Sequence, residues 1–93
     1  MYLTYTASSL RATCDVPTNT SFTTGADVSI TLTADEGCYW SDVYTTNKPR
    51  LEVSPNTFYF DIIDDQTAVL NMTAQGATAT IKGRSTAYTA AVL

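Results

Sequence analysis

Hydrophobic and polar positions alternate most cleanly between Gly25 and Tyr44. Val28, Ile30 and Leu32 fall on one side of an extended chain, and Ser29, Thr31 and Thr33 fall on the other. A period of two residues is the pattern of a β-strand with one face buried. Ala34-Asp35-Glu36-Gly37 then supplies turn residues, Gly37 being free to take positive φ, and Cys38-Tyr39-Trp40-Ser41-Asp42-Val43-Tyr44 resumes as an extended segment. The pattern predicts a hairpin here and puts it at the centre of the core.

The same reading extends along the chain. Tyr2 to Ala7 alternates as a first strand interrupted by Ser8-Ser9; Leu10 to Val16 continues it or forms a second, and Pro17-Thr18-Asn19-Thr20 ends it, because proline cannot donate to a ladder. Phe22 is expected in the core. Thr45-Thr46-Asn47-Lys48-Pro49 has the composition of a loop, and Leu51-Glu52-Val53 that of a short strand closed by Ser54-Pro55-Asn56. Residues 57–63 form a strong strand with Phe58, Phe60 and Ile62 on its core face; after a turn at Asp64-Asp65-Gln66, residues 67–74 return as its hairpin partner, with Leu70 and Met72 inward. Residues 1–75 are taken as one domain. Residues 76–93, with a turn at Lys82-Gly83, are expected to form a third hairpin or an arm reaching another subunit.

Composition strengthens the β reading. Charged residues make up only 15% of the chain and eighteen threonines cover the polar surface, joined by six tyrosines. These β-branched and aromatic types suit a pleated, half-solvated sheet. No helical period runs over a useful length, so the class is all-β, and seven or eight short strands suggest a sandwich or small barrel. A chain of 93 residues buries only about 60 to 65% of its unfolded surface, which leaves a modest stability margin that partner contacts would raise.

Charge and length exclude several functions. A net charge of −4 and five scattered basic residues leave no patch to neutralise phosphates, so nucleic-acid binding is not expected. No apolar run approaches the roughly 20 residues of a membrane span, and no signal peptide is visible. The chain is expected in a virion or at a cell surface as part of something larger, and otherwise in the cytoplasm.

Candidate chemistry is sparse. Tyr39, Trp40 and Tyr44 form the most notable cluster: Tyr39 and Trp40 face opposite ways on a strand, whereas Trp40 and Tyr44 fall in register as a platform for a sugar ring or an apolar side chain, or else as core packing. Asp35, Glu36, Asp61, Asp64 and Asp65 are the acidic groupings; they read as turn formers and solubilising charges more readily than as calcium ligands. The chain has no histidine, so the usual base for a serine or threonine nucleophile is missing, and Lys48 or Lys82 would have to replace it. No catalytic residue, metal or cofactor is expected. Cys14 and Cys38 are either two reduced thiols packed as small apolar groups or a disulfide, which would stabilise the fold by about 3 kcal/mol. Asn19-Thr20-Ser21 and Asn71-Met72-Thr73 match the glycosylation triplet, a frequent coincidence in a threonine-rich chain.

The run Thr24-Gly25-Ala26-Asp27-Val28-Ser29-Ile30-Thr31-Leu32-Thr33-Ala34-Asp35-Glu36-Gly37-Cys38-Tyr39, with Asp65-Gln66 before a later apolar run, resembles bacterial and phage surface modules. It is similar to the immunoglobulin-like domains of phage virion proteins and to Listeria-Bacteroides repeats, over roughly residues 2–75. Cys38 is inserted between the turn glycine and Tyr39, and the chain opens on Met1 as a whole gene product would. The resemblance implies an antiparallel immunoglobulin-like β-sandwich of about seven strands. It further implies a non-catalytic role in virion decoration, fibre or tail architecture, or adhesion. Partners would be other protein subunits, through self-association or a larger assembly; surface glycan bound by exposed aromatics is the alternative.

Overall fold

The computed structural model describes residues 1–41, 43–49 and 56–88. In chain order the strands are β1 (Tyr2–Thr4), β2 (Ala12–Cys14), β3 (Thr20–Ser21), β4 (Asp27–Ala34), β5 (Cys38–Tyr39), β6 (Val43–Pro49), β7 (Asn56–Tyr59), β8 (Asp61–Ile62), β9 (Thr67–Thr73), β10 (Ala77–Gly83) and β11 (Thr86–Ala87). One short helix, α1 (Ala7–Leu10), sits between β1 and β2. The fold is predominantly β, as the alternation predicts.

Two sheets share one apolar core. The first has the order β3-β1-β10-β6-β7 and the second β2-β4-β9-β8, while β11 and β5 form a two-stranded ribbon. Among the described residues every pairing is antiparallel except β1 with β10, where Leu3 lies beside Ala79 in parallel register. In the second sheet Val28, Ile30 and Leu32 stand opposite Met72, Leu70 and Ala68. Directly opposed residues point to the same face, so the apolar sides of β4 and β9 merge into one surface. Leu3, Val43, Ala79 and Ile81 cover it from the first sheet, and Phe22 packs at the margin as expected.

The predicted central hairpin does not form. The turn exists, with Gly37 at φ 81° and the Cys38 N–H donating to the Asp35 carbonyl at 3.0 Å. Beyond it, however, β5 pairs with β11, while both edges of β4 are taken by β2 and β9. β9 satisfies seven residues of β4 in register with a matching apolar face, far more ladder than the two residues of β5 could supply. The turn hands the chain to the other layer.

Three further expectations are corrected. Residues 45–49 are not a loop: they lie in β6, paired with β10 along its length up to Pro49, which meets Ala77 at the strand end where a missing N–H costs least. Residues 76–88 are not an arm appended to a 1–75 domain. β10 is the middle strand of the five-stranded sheet, its Ala79 and Ile81 are buried in the shared core, and Lys82-Gly83 are strand rather than turn. Residues 57–63 are not one strand of one hairpin. The chain changes sheet at Phe60, whose side chain is buried and whose N–H donates to the Val43 carbonyl at 3.0 Å; only Asp61 and Ile62 pair with β9. The interruption at Ser8-Ser9 is α1, closed by Arg11 at φ 55°. Leu51-Glu52-Val53 lies outside the described residues.

Candidate functional site

Trp40 is a core residue. It is 4% exposed, its indole N–H donates to the Gln66 carbonyl at 2.9 Å, and its backbone N–H donates to the Asp65 carbonyl at 2.8 Å. A ring clamped this way has no free face for a sugar, which corrects the expected Trp40–Tyr44 platform. Tyr44 lies in β6 in register with Tyr59 on one side and Lys82 on the other; its side chain is outside the described residues.

Tyr39 takes the outward position, half-buried, and meets a residue the sequence pattern did not connect with it. The rings of Tyr39 and Tyr88 lie 4.8 Å apart at 38°. The β5–β11 ribbon creates this meeting, and Tyr88 is fixed further by its N–H to the Gly37 carbonyl at 3.0 Å. Its hydroxyl donates to Asp65 Oδ2 at 3.3 Å. Local desolvation, and then the Asp65 carboxylate, push the phenol above its ordinary value.

The other titratable groups serve the backbone. Asp64 Oδ1 accepts the N–H groups of Gln66 at 2.9 Å and Thr67 at 2.8 Å, and these bonds, Gln66 first, hold its carboxyl below the usual range. Asp15 Oδ1 accepts the Thr31 N–H at 2.8 Å, and Tyr5 donates its hydroxyl to the Val16 carbonyl at 2.6 Å. Both thiols are free: Cys38 is buried and Cys14 half-buried, so the disulfide reading is not realised. Burial pushes the Cys14 thiol up, away from the thiolate a nucleophile requires. Among the described residues no three His, Cys, Asp or Glu side chains converge on a metal-sized point, and no helix is long and apolar enough to cross a membrane. One cleft, of about 540 Å³, is lined by Met1, Tyr2, Phe22, Thr24 and Gly76 among others.

A different surface stands out. β7 ends the order of one sheet and β8 that of the other, so the single segment from Asn56 to Ile63 borders both layers. It carries three of the five large apolar side chains that are exposed among the described residues: Tyr59 at 65%, Ile62 at 42% and Ile63 at 65%. Sequence pattern alone put Ile62 in the core with the phenylalanines. The crossing at Phe60 instead leaves it at the rim, opposite buried Ala68.

These features define a small, mostly antiparallel β domain with one apolar border. The sequence matches no protein-family model, and comparison with curated proteins and with solved structures returns no match.

Proposed function

We propose that this chain is a non-catalytic structural and interaction module, an immunoglobulin-like β-sandwich of a minor phage virion component (capsid decoration, fibre or tail) or of a surface assembly. The observation that carries the reading is the Asn56–Ile63 border, where Tyr59, Ile62 and Ile63 stay exposed at the edges of both sheets. Burying such side chains against another subunit gains roughly 25 cal/mol per Å² of apolar surface, and an open strand edge offers main-chain hydrogen bonds to the same partner. Two sheets around one core support the sandwich reading.

Antibodies to the chain test it, applied to purified particles and to cell-envelope fractions. The chain should sediment with one of them, and the double substitution Ile62→Asp, Ile63→Asp should release it while leaving its circular dichroism unchanged. Recovery only as free soluble protein would overturn the reading.

Surface glycan is the second reading, favoured by one observation: Tyr88 is 52% exposed and sits beside the Asp65 carboxylate, an aromatic face next to a hydrogen-bond acceptor. A glycan array decides it. Signal lost with Tyr88→Ala supports the reading, and signal unchanged removes it.

A further inference from the structure

We propose that β8 is a docking edge for an extended segment of another protein in which apolar and basic residues alternate. This rests on the interaction-module reading and specifies the partner's chemistry.

The backbone sets the geometry. Asp61 stands opposite Val69 and Ile62 opposite Ala68, and the Ile63 N–H donates to the Thr67 carbonyl at 2.9 Å. In an antiparallel ladder, pairs that exchange hydrogen bonds alternate with pairs that do not. With Ile63 bonded to β9, Ile62 belongs to a non-bonded pair, so its N–H and C=O point away from β9. Among the described residues that direction is the open side of the sheet, since β8 is its last strand. One outward donor and acceptor are therefore presented to an incoming strand.

Side-chain alternation sets the partner's pattern. Ile62 faces the same side as buried Ala68 and is 42% exposed there, so the residue bonded to Ile62 would lay its side chain over the open rim of the core and should be apolar. Its neighbours fall on the opposite face beside Asp61 and Ile63, both exposed. Opposite Asp61 a lysine or arginine fits, and opposite Ile63 a long aliphatic stem serves equally well.

Charge chooses between a foreign strand and a second copy. Asp61, Asp64 and Asp65 all border β8 and are exposed, and each molecule carries a net charge of −4. Pairing β8 with itself about Ile62 would bring two such acidic rims together, which like-charge repulsion disfavours. A basic segment reverses that term.

The test uses the intact chain and two labelled octapeptides, one alternating lysine and valine, the other glutamate and valine. Fluorescence anisotropy should show binding of the lysine peptide alone, weakening as salt rises, with amide shifts centred on residues 61–63. Ile62→Pro removes the outward N–H at an edge position where proline is tolerated, and should weaken binding about five- to tenfold; Asp61→Asn should weaken it about threefold. Equal binding of both peptides, no binding of either, unchanged binding by Ile62→Pro, or dimerisation through β8 would each overturn the proposal. A chain that sediments with particles yet ignores the lysine peptide loses only this proposal, whereas a chain found free in solution loses the parent reading.

Discussion

The hydroxyl of Ser85 donates to the carbonyl of Arg11 at 2.7 Å, and the Ser85 N–H donates to the carbonyl of Leu10 at 2.9 Å. Ser85 is 2% exposed. It thus satisfies two carbonyls at the end of α1, where a helix of four residues leaves its acceptors without internal partners. Ser85→Ala should destabilise the protein by about 0.5 to 1.5 kcal/mol, read as a lower urea midpoint with an unchanged slope, because the Arg11 carbonyl loses one of its two donors and keeps only the Asp35 N–H.

Removal of residues 76–93 should abolish folding rather than detach an arm. The deletion takes away β10, which lies between β1 and β6 and buries Ala79 and Ile81. Far-ultraviolet circular dichroism of the truncated chain should be that of a coil, and a folded truncated chain would contradict the central placement of β10.

Trp40 is the sole tryptophan, so its fluorescence reports the core directly. Emission of the folded protein should lie at short wavelength, resist acrylamide quenching and shift red on unfolding. Trp40→Phe keeps most of the volume and loses the bond to Gln66, at about 1 kcal/mol; Trp40→Ala leaves a cavity, at about 3 to 5 kcal/mol.

The pH dependence has a definite sign at Asp64. Its folded value lies below the ordinary 3.8, so its contribution is fully present above that value and is lost as pH falls through the lower, folded one. Thermal midpoints of the wild type should drop across that acidic range. Asp64→Ala should start lower and show a smaller acid-dependent loss, because the carboxylate acceptor of the Gln66 and Thr67 N–H groups is gone.

With both thiols free, adding a reductant should leave the unfolding midpoint unchanged. A thiol reagent should label two cysteines in denaturant and react slowly with the native protein, with Cys38 the slower of the two. A midpoint that falls on reduction would mean a bond joins them.

What a period of two residues reveals is the face a side chain takes. Val28, Ile30 and Leu32, and Leu70 with Met72, were legible for that reason. The same period is silent on which strand lies alongside, so β5 read as the partner of β4 and β10 as an appendage, although the first has only two residues in a ladder and the second has seven. Nor does it register a change of sheet within one alternating run, which is why the exposure of Ile62 was invisible, whereas Ile63 fell on the outward face. The contact of Tyr39 with Tyr88 joins residues 49 apart in number, a separation no local pattern spans. α1 is a single turn and too short for helical periodicity to show.

The parallel register of Leu3 with Ala79 fixes an order of events during synthesis. A nascent chain can pair β1 with β3 early, but the edge of β1 that faces β10 cannot be seated until the segment around residue 79 has cleared the ribosome. Completion of the larger sheet is therefore a late step, governed by closure of the long loop between β1 and β10.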